Sequence, residues 1–160
     1  MEQKTKVSAE DGKQELFITR EFDLPLDLVF RAFSEPAIIE QWMSNPYSNA
    51  RLLKFEAKKQ GAYQLETTDA QGKITFRANG VIHEFDPGIK ITRTFEMEGT
   101  PYGVQLEVYK FEKLSDDTSR LIMHVIYESV AQRDEVLKLP FAKGINMAHD
   151  RLQEILSKLN

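Results

Sequence analysis

The chain has 160 residues, of which 41% are hydrophobic and 29% charged, a composition typical of a globular protein with one ordinary core. It contains no cysteine, which excludes disulfides and thiolate metal sites. The net charge of −4 comes from 21 basic and 25 acidic residues scattered along the chain. No concentrated basic face is visible, so nucleic-acid binding is not expected.

The N-terminal residues are polar and aperiodic, and they lack the apolar core of a signal peptide. No apolar run approaches membrane-spanning length, so we expect a cytoplasmic protein without membrane insertion. We interpret residues 1–13 as a flexible N-terminal lead-in and residues 14–160 as a single domain.

The first ordered elements are a strand and two short helices. Residues 16–22 have the composition of a strand. Pro25 suits the first turn of a helix whose apolar residues recur at helical spacing as far as Phe33. A second short helix, opened by Pro36, carries its last apolar anchor at Trp42.

A series of strands fills the middle of the chain. Short connections with turn residues, such as the tetrad at 85–88, separate these segments and predict an antiparallel meander. The predicted strands are 51–57, 62–68, 74–85, 89–97, 102–113 and 120–128.

A long amphipathic helix is predicted from Pro140 to Leu159. Its apolar residues share one face and are Phe141, Ile145, Ala148, Leu152, Ile155, Leu156 and Leu159. This helix is the only element long enough to cover the apolar side of the sheet. The order of elements predicts an α+β fold, in which a curved antiparallel sheet of about six or seven strands wraps around the C-terminal helix.

Several short sequence segments resemble those of a known superfamily. They are the opening Phe22–Pro36, the pair Gln41–Trp42, the strand and turn Gly80–Pro87, the strand Arg120–His124, and the helix positions Gly144, Ile145 and Leu152. Together with the element order, they resemble the START/Bet v 1-like, or SRPBCC, superfamily, whose fold is called helix-grip. Within it, the chain is most similar to the branch named after the activator of heat shock protein 90 ATPase. The resemblance covers nearly everything from Leu16 onward.

The resemblance implies a fold that hosts lipid carriers, metabolite binders, cyclases and chaperone activators, so it leaves the activity open. Two departures bear on the helix–sheet interface. Ile145 stands where the family usually has Trp, and His149 where it usually has Leu. Both changes predict a larger and less uniformly apolar space between helix and sheet.

Arg93 is a candidate for a polar group in that space. Alternation places it on one strand face with Ile91, Phe95 and Met97. An inward arginine must be paired, because an unpaired buried charge is costly. It either forms a salt bridge with a glutamate at the rim of the sheet, or it anchors a ligand carboxylate or carbonyl inside a pocket.

Eleven residues are candidates for lining a cavity. Most apolar residues of this kind are ordinary core, although Trp42 and Tyr127 have polar tips that need partners when buried. The candidates are Trp42, Met43, Phe76, Arg93, Phe95, Tyr109, Met123, Tyr127, Phe141, Ile145 and His149.

The sequence gives little support for a catalytic or metal-binding site. The three histidines, His83, His124 and His149, are far apart and show no ligand spacing, so no metal or other cofactor is predicted. No nucleophile motif or phosphate loop occurs, and no catalytic residue is assigned.

Three functions remain open. The sequence favours a binding domain for a small hydrophobic or lipid-like ligand held between the helix and the sheet. A chaperone-interaction module is the first alternative and is implied only by the resemblance. A cyclase- or hydrolase-type enzyme using the same cavity is the second, with His149 and Arg93 as its candidate groups.

Overall fold

A computed structural model describes residues 4–160, and the strands of this part of the chain form one antiparallel sheet. The spatial order of the strands is β1-β2-β8-β7-β6-β5-β4-β3, so every pair except β2–β8 is also consecutive in sequence. The strands are β1 (Lys6–Ser8), β2 (Glu15–Phe22), β3 (Asn49–Phe55), β4 (Ala62–Thr68), β5 (Ile74–Asp86), β6 (Lys90–Met97), β7 (Val104–Lys113) and β8 (Ser119–Ile126).

Four helices accompany this sheet in the described residues. They are α1 (Leu26–Ser34), α2 (Pro36–Met43), α3 (Val130–Leu137) and α4 (Phe141–Ser157). The predicted α+β helix-grip class, with two short helices after the first long strand, is confirmed. The sheet has eight strands rather than the six or seven expected.

The additional strand, β1, lies inside the predicted lead-in of residues 1–13, of which residues 1–3 lie outside the described part of the chain. Val7 of β1 pairs with Ile18 of β2. The preceding Thr5 is only 2% exposed, and its backbone N–H donates to the side chain of Asn146. Residues 5–8 therefore contact both β2 and α4. A three-residue strand shows no period of its own in the sequence, because its partners come from distant segments.

The helix α3 was also not predicted. Its N-cap Ser129 accepts a hydrogen bond from the backbone of Gln132. Arg133 is buried and donates to the backbone carbonyls of Glu10 and Glu15. Polar contacts with the N-terminal segment thus hold one side of this helix, and a search for apolar periodicity does not detect them.

The C-terminal helix α4 packs with its second half and leaves its first half over open space. Leu152 and Leu156 are fully buried in the main core, whereas Phe141 and Ile145 are only partly buried. The helix ends at Ser157, so Leu159, which was expected on the apolar face, lies beyond it and is 54% exposed. Within residues 4–160, no helix is both long and apolar enough to cross a membrane.

Candidate functional site

A cavity of about 300 Å³ lies between the first half of α4 and the inner face of the sheet. Strands β6, β7 and β8 form its floor, and helices α1 and α2 with the first half of α4 form its walls. Its lining is mainly apolar and aromatic. It therefore has the character of a small-molecule pocket, in which a few polar groups are set in an apolar wall.

Ten of the eleven candidate residues surround this cavity. They are Trp42, Met43, Arg93, Phe95, Tyr109, Met123, Tyr127, Phe141, Ile145 and His149. That they bind a ligand stays a prediction.

Phe76 does not line the cavity. It packs instead against a small second cluster formed by Ala50, Leu65 and Ala78, with its ring centroid 6.5 Å from that of Phe95. The long strand β5 carries Phe76 to the end of the sheet near the β4–β5 turn. Sequence alternation gave its face of the strand but not its position along the sheet.

Further lining residues were missed by sequence reasoning. Gln105 and Glu107 could have been found from the sequence, because alternate residues of β7 share a face and Tyr109 was already a candidate on that face. The others depend on how distant elements meet. They are Ile18, Phe33, Ile39, Met97, Tyr102, Gly103, Val125, Val136, Leu139 and Ala148.

The cavity runs from a partly exposed mouth to a buried end. Leu139, 40% exposed, and the half-buried Tyr102 and Phe141 lie at the mouth. Tyr127 and His149, 2% and 1% exposed, lie deep inside. The lining therefore combines partly exposed apolar groups with buried residues that carry polar groups.

Arg93 is the charged centre of the buried end. Its Nε donates to Oε1 of Glu107 at 2.9 Å, and its Nη2 donates to the hydroxyl of Tyr109 at 2.7 Å. The Tyr109 hydroxyl donates in turn to Glu107 Oε1 at 2.9 Å, and Gln105 Nε2 donates to Oε2 at 2.8 Å. Arg93 is thus both paired with a glutamate and part of the cavity lining. The pair is buried in the sheet rather than at its rim, because Glu107 is only 5% exposed.

Two tyrosine rings hold the Arg93 guanidinium between them. Its central carbon lies 4.6 Å from the ring centroid of Tyr63 and 4.9 Å from that of Tyr109. The Tyr63 hydroxyl donates to the backbone carbonyl of Thr94. Gly80 makes this possible, because a Cβ there would lie 2.0 Å from the Thr94 oxygen and 2.5 Å from the Tyr63 hydroxyl.

The two residues with polar tips differ in whether those tips are paired. The Trp42 indole N–H donates to the carbonyl of Ala32 at 2.7 Å. The buried hydroxyl of Tyr127 has no hydrogen-bond partner within residues 4–160. Burial, and secondarily the charge of Glu107, raises the pKa of Tyr127, so this phenol is a neutral donor at physiological pH.

His149 is a neutral, structurally bonded histidine. Its Nδ1 lies 2.9 Å from the Thr5 hydroxyl, which also accepts from Arg20. Burial and the nearby Arg20 charge lower the pKa of His149 to about 3, against a smaller opposing effect of Asp150. The imidazole is therefore uncharged at neutral pH, and it ties α4 to the N-terminal segment beside the cavity.

Comparisons with known proteins agree with this architecture. The fold is shared with protein Ms6760 from Mycobacterium smegmatis at 20% identity and a TM-score of 0.83, over 95% of this chain and 96% of that one. A protein from Rhodobacter sphaeroides is 19% identical with a TM-score of 0.85, over 96% and 99% of the two chains. A protein from Arthrobacter aurescens is 19% identical with a TM-score of 0.83, over 96% and 91%.

Likeness at these identities shows the fold alone. No curated protein matches the chain. A family model described as activator of Hsp90 ATPase homolog 1-like protein matches residues 23–157, which is most of the chain and confirms the resemblance. The chain belongs to the family of activator of Hsp90 ATPase homolog 1-like proteins.

Proposed function

We propose that this protein binds a small, largely apolar molecule in the cavity between α4 and the sheet. The observation that supports this proposal is the cavity of about 300 Å³, with its apolar walls and its buried polar end at Arg93, Glu107 and Tyr127. A core selected for packing alone is filled to high density, because empty space forfeits dispersion contacts. Space of this size beside polar groups is better explained by an occupant.

The size of the space limits the ligand. An engineered apolar cavity of about 150 Å³ accepts one benzene ring, and small-molecule pockets begin near 300 Å³. A molecule of about two fused rings, or a short branched chain, fits this range. A long-chain diacyl lipid does not fit unless the cavity widens.

A screen by thermal shift tests the proposal directly. A ligand that binds only the native state must raise the melting temperature, by an amount that grows with its concentration. We expect hits among two-ring aromatic compounds and short apolar metabolites. No shift across a broad set of such compounds would contradict the proposal.

Filling the cavity should weaken binding. Ile145→Trp places an indole where Ile145 lines the cavity, on the first half of α4. We expect this variant to bind an apolar probe such as 2-ethylnaphthalene at least about tenfold more weakly, because the ligand and the indole need the same volume. Titration followed by NMR of labelled protein gives the dissociation constants.

Met147→Trp is the matched control. Met147 lies on the same helix, is 49% exposed and does not line the cavity. It should bind the probe as the parent protein does, and both variants should keep the parent circular dichroism spectrum. Equal affinities for the two Trp variants would show that the probe binds elsewhere.

The chaperone and enzyme hypotheses lack a comparable observation. A chaperone partner is suggested by the description of the family alone. Of the two candidate catalytic groups, His149 is neutral and bonded to Thr5, and Arg93 is bonded to Glu107 and Tyr109. Neither is a free acid or base, so we favour binding over catalysis.

A further inference from the structure

At the buried end of the cavity, some hydrogen-bond donors have no acceptor within residues 4–160. The Tyr127 hydroxyl is buried without a partner in the described chain. Arg93 donates through Nε and Nη2, and within residues 4–160 no acceptor is placed on its Nη1. The Arg93 side chain keeps 22% of its surface accessible, since it borders the cavity. Tyr127 and Arg93, both in the cavity lining, therefore each carry a donor that no described residue accepts.

Acceptors at the same end are largely used. Glu107 Oε1 accepts from both Arg93 and Tyr109, and Oε2 accepts from Gln105. The Tyr109 hydroxyl accepts from Arg93 and donates to Glu107, so it is used in both roles. A ligand acceptor can use the uncommitted donors of Tyr127 and Arg93 without disturbing any of these bonds.

The charge at this end is already balanced. Glu107 neutralises Arg93 at 2.9 Å, and Glu107 itself is buried. A ligand carboxylate would place a second negative charge beside one guanidinium, which is unfavourable where the dielectric constant is low. A ligand ammonium would meet no free carboxylate. A neutral acceptor introduces neither cost.

We propose that the cavity selects apolar ligands that carry one neutral oxygen acceptor, such as a ketone, ester or amide carbonyl, and that the Tyr127 hydroxyl binds this oxygen. The inference rests on the proposed function, because it concerns the polar end of the same ligand. An unpaired buried hydroxyl lacks a hydrogen bond that it would make in water. The hydroxyl oxygen has almost no accessible surface, so the tyrosine ring must shift slightly for a ligand carbonyl to reach it. The carbonyl then supplies the missing bond, and a hydrocarbon of the same shape does not.

Three naphthalenes of similar size test the selection with the parent protein. They are 2-acetylnaphthalene, its hydrocarbon counterpart 2-isopropenylnaphthalene, and 2-naphthoate. We expect the ketone to bind roughly 3- to 10-fold more tightly than the hydrocarbon, the range that corresponds to one neutral hydrogen bond. The carboxylate should bind more weakly than either. NMR titration of labelled protein gives all three dissociation constants.

Tyr127→Phe tests the assigned residue. The variant should bind the ketone about as weakly as the hydrocarbon, while its affinity for the hydrocarbon stays within about twofold of the parent value. Tyr47→Phe is the control, because Tyr47 is 85% exposed and does not line the cavity, and it should keep the preference for the ketone. Melting temperatures report whether each variant is folded, and removal of an unpaired hydroxyl is not expected to lower that of Tyr127→Phe.

The possible results separate the two proposals. If none of the three probes binds, this inference fails, and the proposed function fails with it when the broad thermal-shift screen also gives no hit. If the probes bind but the hydrocarbon equals the ketone, or the carboxylate binds most tightly, the selection for a neutral acceptor is wrong and the binding function stands. If the ketone is preferred equally by the parent and by Tyr127→Phe, the assignment to Tyr127 is wrong.

Discussion

Arg93→Met is expected to lower the free energy of unfolding by roughly 3–5 kcal/mol, the usual cost of removing one partner of a buried ion pair. Glu107, which is only 5% exposed in the parent protein, would keep an uncompensated charge. The Tyr109 hydroxyl would no longer accept a hydrogen bond from Arg93. Urea denaturation checks this value. Trp42 is the single tryptophan of the chain and is buried, so its fluorescence reports unfolding.

The double variant Arg93→Met/Glu107→Met separates loss of the pair from loss of packing. Because the second substitution removes the charge that the first leaves unpaired, the two losses should not add. We expect the double variant to regain at least half of the stability lost by Arg93→Met. If the losses of Arg93→Met and Glu107→Met, each measured alone, added up to the loss of the double variant, the two side chains would not be coupled as their 2.9 Å contact indicates.

His149→Leu is expected to remove a pH-dependent loss of stability. The ordinary histidine pKa is 6.5, and in the folded protein it is lowered to about 3. Between these values the unfolded chain binds a proton that the folded chain does not, so the cost is absent above about pH 6.5 and grows as the pH falls. At about pH 5 this amounts to roughly 2 kcal/mol.

The measurement is the stability difference between His149→Leu and the parent protein at about pH 7 and pH 5. We expect the variant to gain about 2 kcal/mol relative to the parent over this interval, whatever the lost bond to Thr5 costs at neutral pH. His83→Leu is the control, because His83 is exposed, and it should follow the parent. An unchanged difference between the two pH values would mean that His149 takes up a proton within the folded protein.

Helices and strands were predicted correctly where their own apolar residues repeat at a regular spacing. The long strands alternate, α4 repeats every three to four residues, and the turns are marked by Pro and Gly, so each could be identified locally. The failures are the elements without a period. β1 has three residues, and α3 is held by Ser129 and by the buried Arg133, whose bonds reach residues more than a hundred positions away.

For the candidate site, alternation brought Arg93 and Tyr109 to the inner face but could not supply their connection. β6 and β7 pair Arg93 directly with Glu107, and this register decides that the arginine is neutralised inside the cavity. The same limit explains Phe76, whose strand face was predictable and whose distance from the cavity was not. Register and strand length set where a side chain lies along a sheet, and neither is a local property.

The amino-acid sequence alone determined the class of fold, the family resemblance and ten of the residues that face the space under α4, because periodicity and turn chemistry act over a few residues. The tertiary structure decided that this space is a cavity, that Glu107 balances Arg93, that His149 is bonded to Thr5, and that the Tyr127 hydroxyl is left unpaired. These properties depend on which distant groups meet and at what distance, and side-chain packing and hydrogen bonding fix that only in the folded chain.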